Sequence, residues 1–202
     1  RLQDAGQSVL IDSQFDLASE RRAWLDQEII DIGEAEVVEI GISHPDGEKI
    51  VARKASADDR NFELEGIPEG FEIKSDWSVN SLAGNLASLS LEEVVPADQI
   101  DWTDATAFRL LTADGLDTEV TLVGISGDED SDTEYWLRLQ SGVYTTAVGS
   151  GVDEEQDSNA TSERAAQINE RVSGWAYRVP RYKYDAMVKR MDDLVQQTEP
   201  GA

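Results

Sequence analysis

The chain has 202 residues, of which 42 are acidic and 17 basic, so its net charge is −25. A charge of this size and sign disfavours binding to nucleic acid and to anionic membrane surfaces, because both recruit proteins through Lys and Arg. The sequence has no cysteine, which excludes disulfide bonds and thiolate metal sites, and it has no run of about 18 apolar residues that would span a bilayer.

Residues 1–16 predict an extended lead-in, and residues 17–96 predict a first α+β half. Apolar residues alternate in its strands and recur at helical spacing in its helices. The elements of this half, in chain order, are a helix over 17–29 capped by Asp16, strands over 37–42, 49–54 and 61–65, a helix over 77–89 capped by Asp76, and a strand over 91–95. A turn at 44–47, with the sequence His-Pro-Asp-Gly, joins the first two strands into a hairpin.

Residues 97–202 predict a second half with the same order of elements and an additional C-terminal helix. Its elements, in chain order, are strands over 107–112, 119–123 and 134–139, a helix over 162–172 capped by Ser162, a strand over 175–179, and a final helix over 183–195. Two segments dense in Asp, Glu, Ser and Gly, at 126–133 and 150–161, predict loops because they contain nothing to bury.

The fold class that this pattern predicts is α+β. We expect antiparallel sheets with helices packed on one face, arranged as two similar ββ-β-α-β halves followed by a C-terminal helix. The repeated order of elements predicts an internal duplication. The alternative is that two antiparallel α+β halves resemble each other by chance.

Three segments of the chain together resemble the DUF4340 family. The residues that carry the resemblance at the C-terminal end are Gly174, Trp175, Pro180, Tyr182, Lys183, Arg190 and Leu194. Those that carry it near the start are Trp24, Leu25, Ile30, Asp31, Ile32, Val37 and Ile40, and the third segment is the helical stretch at 75–94. The resemblance implies an extracytoplasmic domain on the periplasmic side of the inner membrane, behind an N-terminal transmembrane helix. It also implies that genes for auxiliary ABC-transport components lie nearby. The family has no settled biochemical activity.

From this resemblance we expect a non-enzymatic, membrane-anchored domain that is an accessory component of an ABC-type transport assembly. Its partners would be proteins such as transporter subunits. It would contact the membrane only through an N-terminal helix that this sequence lacks, since the chain opens on Arg1 rather than on Met. The alternative is a ligand-binding module that holds a sugar or a cationic ligand in a groove between the two halves. We expect no cofactor. A third hypothesis is a hydrolase with two catalytic carboxylates, but no sequence spacing singles out such a pair.

The final segment is the only locally basic zone. Residues 164–195 hold seven bases and four acids, whereas residues 97–162 hold fifteen acids and two bases. These bases either neutralise carboxylates elsewhere in the fold or form a docking patch for a partner. The candidate interaction residues are Arg178, Arg181, Lys183, Lys189 and Arg190, with Trp102 as the tryptophan expected to be exposed. An uncovered edge strand is a second candidate surface.

Other candidate sites are weaker. Asp128, Asp130 and Asp132 alternate like the first ligands of a calcium loop, but Thr133 and Leu139 stand where an EF-hand needs Gly and Glu. A solvated loop is therefore favoured over a metal site. The only histidine, His44, is expected at the surface of its turn, with no local signature of nucleophilic catalysis.

The five tryptophans allow two interpretations. They could line a sugar or peptide groove, or they could pack in the core. Core packing is favoured for the four that fall in predicted elements, which are Trp24, Trp77, Trp136 and Trp175.

Overall fold

The computed structural model describes residues 28–126, 132–144 and 154–198. Within these ranges the fold is α+β, as the sequence predicts. The strands are β1 Glu28–Ile30, β2 Val37–Ser43, β3 Lys49–Arg53, β4 Glu63–Leu64, β5 Phe71–Ile73, β6 Leu89–Ser90, β7 Glu93–Pro96, β8 Thr106–Thr112, β9 Leu116–Ile125, β10 Glu134–Val143, β11 Trp175–Arg178 and β12 Val195–Gln197. The α-helices are α1 Asp76–Asn80, α2 Glu154–Val172, α3 Arg181–Met187 and α4 Met191–Leu194.

One antiparallel sheet of eight strands organises the molecule. Its order is β4-β3-β2-β8-β9-β10-β11-β7, and two small ladders, β1–β6 and β5–β12, lie beside it. Strands from before and after residue 97 pair directly, since β2 pairs with β8 and β7 pairs with β11. The two predicted halves therefore share one sheet, and their origin by duplication stays a prediction.

The inner face of this sheet, which α2 and α3 cover, carries the main hydrophobic core. Strand residues alternate between the two faces, so every second residue of β2, β8, β9 and β10 points inward. Inward residues with an exposed fraction of 1 % or less are Ile40, Ile42, Phe108, Leu110, Val120, Leu122 and Leu137. Burying each large side chain contributes about 1.5–3 kcal/mol to the free energy of folding. The inner face is thus the principal source of stability.

The outer face is largely free of α-helices among the described residues and is covered at one end only. There, the connector at 97–105 folds over a small apolar cluster of Val123, Trp136 and Ala176. Further along the face, charged side chains form a row that we call the charge row, made of Glu65, Arg53, Glu39, Arg109 and Asp117. Neighbouring members contact one another at 2.6–2.8 Å.

Four helix predictions need correction. The helix predicted over 77–89 ends early, as α1 followed by a 3-10 helix, Ser81–Leu86. It ends early because Gly84 and Asn85 favour the α-helix poorly. The N-cap residue is Ser75 rather than Asp76, since the Oγ of Ser75 accepts the amide hydrogen of Ser78 (3.2 Å). The segment predicted as a loop over 150–161 is helical from Glu154, because α2 is longer than its predicted start at Ser162.

The predicted C-terminal helix over 183–195 is also wrong, because the segment divides into α3, α4 and β12. The amide of Arg190 donates to Asp193 Oδ2 (2.9 Å), which starts a new helix there. β12 then pairs with β5, a tertiary contact that helical spacing alone does not predict. Of the helix predicted over 17–29, Glu28 and Ile29 lie in β1, and the rest lies outside the described residues.

Candidate functional site

The basic zone is largely neutralised by carboxylates. Arg178 lies 3.1 Å from Glu93 and 3.0 Å from Glu134. Arg190 lies 2.8 Å from Asp46 in the first hairpin turn and also contacts Glu48. The hydrogen bond that Arg190 donates to the carboxylate of Asp46 raises the pKa of Arg190. Internal neutralisation thus accounts for much of the charge that the sequence concentrates here.

The remaining candidates of this zone lie on α3 and just beyond it. Arg181 pairs with Asp185 one helical turn away (3.3 Å), and its side chain is 76 % exposed. Lys183 and Lys189 are half-buried, and the backbone carbonyl of Lys189 lies 3.1 Å from Nε2 of His44. As a docking patch, the zone stays a prediction.

His44 is buried rather than at the surface, which corrects the prediction from its turn sequence. Its exposed fraction is 8 %, and its Nδ1 lies 3.3 Å from the hydroxyl of Thr106. The ring therefore joins the first hairpin to β8 and to the C-terminal segment. This role is structural, and only the docking of the distant C-terminal segment creates it.

The burial of the tryptophan side chains differs from the prediction. Trp136 is buried as expected, but Trp77 is 77 % exposed and Trp175 is 44 % exposed. Trp102, expected to be exposed, is half-buried: its Nε1 donates to the carbonyl of Ala97 (2.9 Å). Trp24 lies outside the described residues.

The acidic loops offer no metal centre in the part of the chain that the structure describes. No group of three or more Asp, Glu, His or Cys side chains converges there. Asp128 and Asp130 lie outside the described residues, and Asp132 is exposed. The preference for a solvated loop over a calcium site therefore stays a prediction.

The first concave site is a cavity of about 350 Å³, which we call the apolar cavity. It lies between the edge of the main sheet, β1 and the end of α2. Its walls are mostly apolar and include Ile29, Leu91, Val94, Val172, Trp175 and Tyr177, with Glu28 and Arg171 at the rim. Burial raises the pKa of the Tyr177 hydroxyl, whose oxygen lies 3.5 Å from the carbonyl of Arg171. Both predicted halves contribute to this cavity.

The turn between α2 and β11 positions Trp175 at the cavity rim. Gly174 adopts a φ of +80°, a left-handed conformation that ends a helix and that glycine reaches without steric cost. The chain then enters β11 at once, so Trp175 stands at the first position of the strand with its ring only partly covered. The local sequence Ser-Gly-Trp therefore places a partly exposed aromatic side chain at the turn between α2 and β11.

A second concave site, of about 360 Å³, lies on the other side of Trp175, and we call it the polar cleft. Its polar walls are the side chains of Glu119 and Thr121 on β9 and of Arg138 and Gln140 on β10, on the outer face. β10 pairs with β11 at Trp136 and Leu137, whereas Ala176 and Trp175 of β11 pair with β7 alone, so the cleft lies where β10 and β11 separate.

Trp102 contacts Arg138, one of the residues that line this cleft. The guanidinium carbon of Arg138 lies 4.7 Å from the centre of the Trp102 ring, which is within the range of a cation–π interaction. Sequence reasoning selected Trp102 but missed Arg138 and its neighbours. The alternation of β10 already places Trp136, Arg138 and Gln140 on one face, so that signal was available.

Comparison of the chain with protein-family models, with curated proteins and with solved structures finds no match. The helices that the structure describes are too short or too polar to cross a lipid bilayer. The resemblance to the DUF4340 family therefore stays a prediction.

Proposed function

We propose that this protein is a non-enzymatic binding domain that acts by docking a partner protein at the apolar cavity. The observation that carries the proposal is the cavity itself, with the partly exposed ring of Trp175 at its rim. Large aromatic side chains beside desolvated pockets are the usual centres of binding energy in protein interfaces. An apolar side chain of the partner would fill the cavity.

The position of the cavity suits a protein partner. β7 is an edge strand of four residues, and Val94 forms part of both this strand and the cavity wall. Pro96 ends β7 and lacks an amide hydrogen, which limits backbone pairing with an added strand. Side-chain docking into the cavity therefore fits this edge better than strand addition does.

The two carboxyl groups with shifted pKa values, Asp46 and Asp101, are not candidates for a general acid. The pKa of Asp46 is lowered by hydrogen bonds from the Glu48 amide and Arg190, and that of Asp101 by hydrogen bonds from Thr103. A carboxylic acid that protonates a leaving group needs a raised pKa instead. Both shifts therefore run in the direction opposite to that of a general acid.

The setting of the protein follows from the family resemblance. On that basis the domain lies on the extracytoplasmic side, anchored in the inner membrane in the full-length protein, and its partner is a subunit of an ABC-type transport assembly. The strongly acidic surface agrees with a domain that contacts the membrane only through an anchor.

The test is purification of the full-length protein from membranes of its own organism, as wild type and as two variants. Val94→Glu places a charge in the cavity wall, and Val51→Glu is the matched control at a half-buried valine on β3. An unpaired buried carboxylate should weaken partner binding at least about tenfold. We expect ABC-type subunits to co-purify with wild type and Val51→Glu but to be depleted with Val94→Glu.

Two outcomes would contradict the proposal. One is reproducible recovery of the wild-type protein without any transporter subunit. The other is equal co-purification with both variants, provided that circular dichroism shows both to be folded, since the cavity would then not be the contact.

A further inference from the structure

The aromatic wall of the apolar cavity favours one kind of side chain in a partner. Trp175 and Tyr177 are two residues apart on β11, so their rings lie on the same face of the strand, and both line the cavity. Val94, opposite Tyr177 in the β7–β11 register, extends this wall. Aromatic rings pair in offset or edge-to-face geometry, which adds binding energy beyond that of burial. The wall therefore favours an aromatic occupant over an aliphatic one.

Tyr177 supplies a buried polar group to this apolar site. It is 6 % exposed, and its hydroxyl donates to the backbone carbonyl of Arg171 at 3.5 Å. A carbonyl oxygen can only accept, so this bond uses the hydroxyl hydrogen and leaves the lone pairs of the phenol oxygen. No donor among the described residues bonds that oxygen. A ligand group that bonds the oxygen must therefore be a donor.

The charges at the rim of the cavity are complementary to a neutral aromatic ring. Glu28 and Arg171 lie at the rim with opposite signs, so the rim has no net charge. The Arg171 guanidinium, which bonds the carbonyl of Ile29 (3.4 Å), opposes a cationic occupant, and the net charge of −25 opposes an anionic one. A guanidinium also attracts the electron-rich face of an aromatic ring.

Tryptophan is the side chain that matches these features together. Its indole is a large apolar ring, and its single polar group, the Nε1–H, donates and does not accept. A phenylalanine ring has no donor for the Tyr177 oxygen, and a tyrosine hydroxyl brings an acceptor that apolar walls leave unpaired. The cavity volume of about 350 Å³ is that of a small-ligand pocket and admits a bicyclic ring.

We propose that the partner docks by inserting a tryptophan side chain into the apolar cavity. The indole N–H donates to the hydroxyl oxygen of Tyr177, and the ring packs against Trp175, which is 44 % exposed and therefore open to contact. This inference rests on the proposed function and adds to it the chemistry of the partner's anchor.

The experiment titrates the full chain with four small probes and needs no identified partner. The probes are N-acetyltryptophanamide, its 1-methylindole derivative, N-acetyltyrosinamide and N-acetyl-leucinamide. Saturation-transfer NMR and chemical-shift titration measure their affinities. We expect N-acetyltryptophanamide to bind tightest and methylation of the indole nitrogen to weaken binding about threefold or more, since it removes one hydrogen bond.

Two variants, each with a matched control, assign this preference to the cavity. Tyr177→Phe removes only the hydroxyl and should reduce the affinity ratio of the two tryptophan derivatives to about one, whereas Tyr182→Phe, at a tyrosine 68 % exposed on α3, should not change it. Trp175→Ala should weaken binding of both derivatives about threefold to tenfold. Trp77→Ala, at a tryptophan 77 % exposed on α1, should leave both affinities unchanged.

Three outcomes would overturn the tryptophan anchor, provided that circular dichroism shows the variants to be folded. They are binding of none of the probes, equal affinities of wild type for the two tryptophan derivatives, and equal effects of Tyr177→Phe and Tyr182→Phe. Depletion of transporter subunits with Val94→Glu but without indole selectivity would overturn the anchor alone. Indole selectivity with equal co-purification of Val94→Glu and Val51→Glu would instead overturn the proposed docking and leave the selectivity of the cavity in place.

Discussion

The two faces of the eight-stranded sheet stabilise side chains of the same strands in different ways. On the inner face, residues such as Phe108 and Leu122 are completely buried beneath helices. On the outer face, Glu39, Arg109 and Asp117 neutralise one another within reach of solvent. In the polar cleft of the same face, Glu119, Arg138 and Gln140 are exposed and form no ion pair with another described residue. The inner face therefore stabilises the sheet by burial, and the outer face presents most of its polar side chains to solvent.

Val120 and Val51 give the largest expected difference between the faces. Val120→Ala removes inward methyl groups that have no exposure, whereas Val51→Ala truncates a half-buried residue on the outer side of β3. We expect Val120→Ala to lower the free energy of unfolding by about 2–3 kcal/mol and Val51→Ala by about 1 kcal/mol or less. Equilibrium unfolding in urea measures both. Equal losses would mean that the outer face is packed as tightly as the inner one.

Asn169 tests a polar contact on the inner side. Its side-chain amide accepts from the backbone amide of Ser141 (2.8 Å) and donates to the carbonyl of the same residue (2.7 Å), in the place of a neighbouring strand. Asn169→Ala leaves both backbone groups of β10 unpaired and should cost about 1–2 kcal/mol.

The matched control for this substitution is Gln167→Ala, at an exposed amide on the same helix. It should change the free energy of unfolding by about 0.5 kcal/mol or less. Amide hydrogen exchange at Ser141 provides a second measurement, since its protection should fall in Asn169→Ala alone. Unchanged protection would show that Asn169 does not hold the end of β10.

Arg109 gives the smallest expected effect and tests the charge row. Its Nε and Nη2 atoms donate to the carboxylate of Asp117 at 2.7 and 2.8 Å, and hydrogen bonding to Asp117 is the main cause of the raised pKa of Arg109. Arg109→Met keeps the aliphatic stem and should cost about 1 kcal/mol at low salt.

Salt dependence distinguishes this loss from a packing effect. High salt screens partly exposed ion pairs, so the difference between wild type and Arg109→Met should shrink as sodium chloride is added. The difference between wild type and Val120→Ala should not shrink in the same titration. A salt-independent loss at Arg109 would show that its stem, rather than its charge, stabilises the outer face.

Several strands could be predicted from the sequence because their pattern is local. Alternating apolar residues located β2, β3, β8 and β11 closely, and the His-Pro-Asp-Gly and Asp-Gly turns located the hairpins. The helices were less predictable. The segment over 183–195 has helical spacing, yet capping at Arg190 and pairing of β12 with β5 divide it.

The candidate sites were less predictable still. Exposure of Trp175 depends on where β11 begins beside its neighbours, and burial of His44 depends on the docking of Lys189 against the first hairpin. Neither contact is local in sequence. The partnership of Arg138 with Trp102 likewise joins two strand-and-loop segments that no periodicity relates.

The sequence by itself determined the α+β class, the antiparallel hairpins and the acidic surface, since these depend on composition and on contacts between near neighbours. Only the tertiary structure decided the strand order, which carboxylates neutralise the C-terminal bases, and where the apolar cavity and the polar cleft lie. The physical reason is that such features arise from side chains brought together across long loops, and a short-range pattern carries no information about those distances.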